Sequence, residues 1–325
     1  MNMDMSRMGW SRVVGAGLGA AALLVAPGAM AEEGGSGHYV PGSMASFADS
    51  VPPAEAVVVR YNFLTYDGSY SRGQPLPIAG VNAVDVDAES MAQGLTLLWR
   101  PPVAIAEGLS YAFSATIPYV WMDVSAAVDA APGRVRQSSS VDGLGDLVVM
   151  PLMLSYAVSP DLNVGARVGL YLPTGDYETG RLANQGKNYL TTEPVLSVIY
   201  FGQKNGREAS LFCGADFNEQ NDDTQYRTGT QLHLDGTLAQ HFPLAGGFAG
   251  AGISGFWYEQ VSGDRGAGAT FGDFEGHTEG LGPVVSYAKT VRGADLVAEL
   301  KWLHETDTAR RLEGDYLWFK LLAKF

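Results

Sequence analysis

The sequence is poor in thiols, in charge and in long apolar runs. Its single cysteine, Cys213, excludes an intrachain disulfide, a cysteine-based zinc site and a CxxC redox pair, each of which needs at least two thiols. Basic residues are scarce: 21 Lys and Arg stand against 35 Asp and Glu, a formal net charge of −14. That balance argues against nucleic acid as a partner, because nothing basic is left over to neutralise phosphates. Charged residues make up 17% of the chain, below the ~25% of soluble domains. After Ala31 no stretch approaches the ~18 uninterrupted apolar residues of a membrane-crossing helix, and few windows sustain a 3.6-residue apolar period.

Glycine and aromatics are abundant instead, with 41 Gly, 15 Tyr, 13 Phe and 6 Trp. At the amino terminus Arg7 and Arg12 precede an apolar run from Val13 to Ala26, and Ala29-Met30-Ala31 supplies the small-x-small pattern that signal peptidase reads. The run falls short of the ~20 residues that cross a bilayer, so residues 1–31 are expected to be a cleaved export signal. Residues 32–54 would then form a periplasmic N-terminal segment and 55–325 the folded domain.

Through that domain, alternation of period two recurs in segments separated by Gly, Asp, Asn and Pro, an all-β signature. Between Gly229 and His241, Leu232, Leu234 and Leu238 fall on one face, with Gln231, His233, Asp235, Thr237 and His241 on the other. Residues 294–305 and 161–172 repeat the arrangement. Twelve segments are expected, at 55–67, 84–100, 108–123, 143–157, 161–173, 188–201, 207–219, 229–242, 246–260, 277–290, 294–305 and 314–325. Their connections alternate between short turns and longer polar loops, the latter at 68–83, 124–142, 174–187, 220–228, 261–276 and 306–313. A transmembrane antiparallel β-barrel of about 12 strands, with short periplasmic turns and longer external loops, has that layout. Aromatics near the strand ends are expected to form girdles at the two lipid interfaces: Tyr61, Phe63 and Tyr66; Tyr119 and Trp121; Tyr200 and Phe201; Phe256, Trp257 and Tyr258; Tyr316, Trp318 and Phe319. The localisation expected is the outer membrane of a Gram-negative bacterium, among its lipid and lipopolysaccharide. The last strand is amphipathic and ends on the aromatic Phe325, which resembles the signal read by the barrel assembly machinery.

Five short strings go beyond architecture: Gly143-Leu144-Gly145-Asp146-Leu147, Gly169 through Tyr177 with Pro173-Thr174-Gly175-Asp176 inside it, Gly186-Lys187-Asn188-Tyr189, Tyr226-Arg227-Thr228-Gly229, and Tyr258 through Asp264. In this order and spacing they resemble the outer-membrane family named after the meta-pathway of phenol degradation, over about residues 50–325. The resemblance implies an outer-membrane β-barrel linked with uptake of aromatic or other hydrophobic compounds, and it transfers no site residues. Physically, the glycines and Pro173 read as turn formers at strand mouths. Asp146, Asp176 and Asp264 lack the spacing of a calcium loop and read as solvated loop acids; no metal or other cofactor is expected.

With apolar side chains turned to lipid, the opposite face is expected to line a pore: Arg60, Arg167, Glu193, Asp216, His233, Asp235, His241, Glu299, Lys301, Lys320 and Lys324. A charge on the lipid side costs about 2–4 kcal/mol at the midplane. Glu299, Lys301, Lys320 and Lys324 are expected to form a cross-strand ion network. Tyr177, Tyr189 and Tyr258 are candidate solute contacts. A twelve-strand bore lies between side-chain-filled eight-strand barrels and open porins, which favours a selective passage for small hydrophobic or aromatic solutes. The alternatives are a structural or surface-interaction barrel and an outer-membrane lipid-processing enzyme. Against the last, Ser262 lacks a GxSxG context and His233, Asp235 and His241 assemble no nucleophile, base and orienting acid.

Overall fold

In the computed structural model the described residues are 36–325, except 72–75, 79–80, 104, 131–132 and 270–274; the expected export signal lies outside them. The period-two segments form strands, fourteen among the described residues and all in one antiparallel sheet. They are β1 (Ala56–Tyr70), β2 (Leu76–Ile78), β3 (Val81–Arg100), β4 (Leu109–Ala130), β5 (Gly133–Leu144), β6 (Leu147–Ser159), β7 (Leu162–Leu172), β8 (Thr191–Phe201), β9 (Arg207–Asn218), β10 (Gln231–Leu244), β11 (Gly247–Gln260), β12 (His277–Val291), β13 (Ala294–Ala309) and β14 (Glu313–Lys324).

Twelve of these close into a barrel. β1 pairs with β3 on one side and β14 on the other, and the ladder continues through β4, β6 and β7 and then in chain order to β14. The β1–β14 seam holds one register from Val58↔Lys324 to Ser69↔Glu313, and Val57 and Phe325 exchange backbone hydrogen bonds of 3.1 and 2.9 Å. Closure leaves no unpaired sheet edge in lipid. Short turns gather at the end where β1 begins and β14 finishes. Two of them, Ala245-Gly246 and Arg292-Gly293, have φ of 49° and 75°, and 52° and 89°, the paired positive values of a two-residue hairpin whose twist matches its strands.

The remaining two strands correct the expected loops. The stretch 124–142 is a hairpin rather than a loop: β4 continues to Ala130 and β5 returns along it, from Ala130↔Gly133 to Tyr119↔Leu144. Likewise β1 and β3 run beyond the expected ends, with β2 paired to the start of β3. Asp85, Asp87 and Glu89, within the expected segment 84–100, are the water-facing side of a strand whose other side, Val86 and Ala88, is buried with Val124, Ala126, Leu182 and Ala183.

The outer face within the membrane is apolar, with Leu95, Ile117, Leu196, Leu211, Leu238 and Ile253 all exposed. Cys213 is exposed on this face. The aromatic girdle is thinner than expected, because Phe256, Tyr258, Tyr316 and Trp318 are buried and turn inward, whereas their strand neighbours Trp257 and Phe319 lie on the outer face by alternation.

Candidate functional site

The segment expected in the periplasm is inside the barrel. Residues 36–52 run along the lumen from the long-loop end, where Lys187 Nζ donates to Ser36 Oγ at 2.9 Å, to the short-turn end, where Val51 packs on Ala112 and Met153. The inward charges draw it there. Asp235 accepts from Tyr39 Oη at 2.9 Å and from the Gly42 amide at 2.7 Å. Lys301 Nζ donates to Gly42 O at 2.8 Å, Trp318 Nε1 to Pro41 O at 2.8 Å, and Ser46 Oγ to Glu299 at 2.5 Å. Glu208 takes the Phe47 amide at 2.7 Å and His241 Nε2 at 2.8 Å. Asp49, in the 3₁₀ turn Phe47–Asp49 capped by Ser46, receives Lys320 Nζ on both carboxylate oxygens at 2.9 and 2.8 Å and Arg60 at 2.8 Å. Arg167 donates to the Asp49 carbonyl at 3.0 Å.

Ten of the eleven residues expected on the pore face therefore meet this segment or one another. Glu299 lies opposite Lys320 across β13 and β14, 3.4 Å from Lys301 and 4.0 Å from Lys320, but Asp49 completes the network. Lys324 stands apart from it, paired with Asp295 at 2.6 Å at the short-turn rim. Glu193, Asp216, His233 and Asp235 form a second buried group on β8, β9 and β10, beneath Tyr39, whose ring stacks on His233 with centroids 4.0 Å apart. Asp49, Tyr39 and Glu208 had no mark in the alternation: the first two precede the barrel, and the third lies near a strand start.

The other half of the lumen is more apolar, with Asn62, Gln93 and Thr116 as its polar members on the same strands. Inward positions of β1, β3 and β4 carry Leu64, Val86, Ala88, Ala92, Val120, Met122 and Val124, and together with Tyr66, Tyr171, Tyr316 and Trp318 they line a cavity of about 410 Å³ between the wall and the segment. The expected pore face was listed by its charged side chains, which these positions lack. Tyr177, Tyr189 and Tyr258 do not line this cavity. Tyr258 is buried on β11, parallel to Tyr39 and under the Arg311 guanidinium, 4.2 Å from the ring centroid. Tyr189 packs edge-on to His38, and Tyr177 is half-buried in the loop.

The glycine-rich strings tie the mouth into two knots. Asp146 accepts from the amides of Thr174, Gly175 and Lys187 at 2.9, 2.8 and 2.7 Å, and from His38 Nε2 at 2.9 Å. Gly175 approaches Gly186 so closely that a Cβ there would stand 2.8 Å from its Cα. Burial works to raise the Asp146 carboxyl, but His38 and the amides outweigh it and hold it below its usual value. Asp264 is hydrogen-bonded by Tyr226 Oη, by the Gly229 amide at 2.9 Å and by Gln260 at 2.7 Å. Asp146 and Asp264 are thus buried structural acids instead of solvated ones; Asp176 is exposed and pairs with Arg181.

Among solved structures, the fold is similar to the COG4313 outer membrane channel from Pseudomonas putida F1, with a TM-score of 0.61 and 18% identity over 88% of this chain and 100% of that one. A Pseudomonas aeruginosa FadL homologue gives a TM-score of 0.41 with 12% identity over 92% and 97%. The β domain of the Bordetella autotransporter BrkA gives 0.41 with 14% identity over 84% and 99%. No curated protein matches the chain. Residues 72–321 match the family model described as "Putative MetA-pathway of phenol degradation", and the chain belongs to that family.

Proposed function

We propose that this outer-membrane barrel takes up small hydrophobic solutes, aromatic ones included, through the apolar half of its lumen. The observation that carries the reading is the 410 Å³ cavity walled by Leu64, Val86, Ala92, Val120 and Met122, beside a lumen otherwise filled by hydrogen-bonded charges. A small apolar molecule gains about 25 cal/mol for each Å² it removes from water in such a site. A hydrophilic solute would have to displace the N-terminal segment and leave buried ions unpaired. The axial route being filled, the wall offers the exit. The ladder shifts register between Ala112 and Ser114 on the β4–β6 side and between Val149 and Leu152 on the β6–β7 side, flanking Met150 of the cavity and Pro151, which has no N–H to give. The similarity to an outer membrane channel supports transport over catalysis.

Uptake of naphthalene by cells lacking the gene, with and without its restoration, tests the proposal. Restoration with wild type should raise uptake several-fold. The pair Ala92→Trp with Val120→Trp, residues directly opposed across β3 and β4, should fill the cavity and remove the gain. Equal uptake in all strains refutes it.

A further inference from the structure

The group beneath Tyr39 has more unsatisfied acid than the segment above it answers. Glu193 and Asp216 are fully buried, and among the described ion pairs their only partner is His233. Tyr171 Oη donates to Glu193 Oε2 at 2.9 Å, but Glu193 Oε1, both carboxylate oxygens of Asp216 and both ring nitrogens of His233 lack a hydrogen-bond partner. His233 Nε2 lies 3.1 Å from Glu193 Oε1, without hydrogen-bond alignment, and 3.9 Å from Asp216 Oδ1. The three ligand-type atoms lie within 4.8 Å of one another. On the far side of the ring, Nδ1 faces Asp235 Oδ2 at 3.5 Å.

We infer that Glu193, Asp216 and His233 bind one divalent transition-metal ion of the Zn²⁺ class inside the barrel, with Asp235 as the residue that positions His233. Ligand–metal distances of about 2.0–2.2 Å place tetrahedral ligand atoms about 3.3 Å apart, a spacing that 3.1 and 3.9 Å straddle. An imidazole nitrogen beside two carboxylates favours a borderline ion over Ca²⁺ or Mg²⁺. A 2+ charge balances two buried carboxylates that otherwise share a single imidazole. A carboxylate on the second nitrogen of a ligating histidine is the recurrent arrangement that fixes its tautomer and ring orientation. The neighbouring strands leave room for the ligands: a Cβ on Gly214, opposite His233, would fall 2.2 Å from its ring, and one on Gly169, opposite Glu193, would fall 2.9 Å from its carboxylate. Because Tyr39 and Gly42 hold Asp235, the ion would also anchor the N-terminal segment.

The site is buried, so loading belongs to folding. Full-length protein refolded into detergent with equimolar Zn²⁺ and then desalted should retain one zinc per chain, with one nitrogen and two or more oxygens in its X-ray absorption first shell. Asp216→Asn and His233→Ala should each lose the ion, Asp235→Asn should weaken it about 10–100-fold, and the surface variant His304→Ala should retain it. Heat-dependent gel migration reports whether each variant has folded, and the wild-type first shell decides the matter if a variant does not. A wild type without retained zinc, a first shell lacking nitrogen, or retention by folded Asp216→Asn overturns the site.

Discussion

Asp49 is where the cations of the barrel wall converge: Lys320, Arg60 and the Arg167 contact to its carbonyl all end on one residue of a segment outside the barrel sequence. Removing one partner of a buried pair strands the other, at about 3–5 kcal/mol. Asp49→Asn and Lys320→Met should therefore each lower the urea midpoint strongly, and the double variant should lose much less than their sum; additive losses in a double-mutant cycle would show that the pair is not coupled. The faces can be checked in the same way. Leu238→Arg, on a side chain 68% exposed on the outer face, should cost about 2–4 kcal/mol at depth, while Leu238→Phe should assemble nearly as wild type. Equal damage in heat-modifiability assays would mean that position 238 does not face lipid. The charged wall was legible where its residues alternate with leucine or valine, as Arg60, Arg167, His233 and Lys320 do. Asp49, Tyr39 and Asp146 were not, since their roles come from partners on other segments, Lys320 for Asp49, Asp235 for Tyr39 and His38 for Asp146, outside any periodic pattern.

Among elements, the strands were legible wherever one face was polar and the other apolar, as in β10 and β13. In β4 the strand at 108–123 was legible, but its inward Val120 and Met122 carry no charge and were not assigned to the lumen. The pattern broke in the hairpin of 124–142, where β4 runs on and β5 is exposed to water along most of its length. The N-terminal segment was misplaced for a related reason: a short stretch rich in Gly, Pro and Ser shows no period, and only its partners on β1 and on β7 to β14 make it part of the interior. The knot around Asp146 joins that segment to two loops through His38 and three amides. Its carboxyl is held below the usual value, so the stability it lends is present above the unfolded value of about 3.9 and disappears as pH falls through the lower folded one. Asp146→Asn should thus unfold at lower urea than wild type at pH 7, and the gap should narrow as the pH falls below about 3.9. A gap that widens in acid would contradict the sign.

On the scale of the whole molecule, the barrel is divided lengthwise. Charges on β7 to β14, with Arg60 of β1, grip the segment, and the proposed solute path lies beside it, along the more apolar wall of β1, β3 and β4. Single-channel recording in planar bilayers tests this division most directly, comparing wild type with a chain from which residues 36–51 are deleted. The wild type should conduct ions weakly, and the deletion should raise conductance several-fold while the closed sheet of β1 through β14 stays intact by heat-modifiability. Large, steady conductance in the wild type, or no increase on deletion, would contradict a lumen closed by its own N-terminal segment.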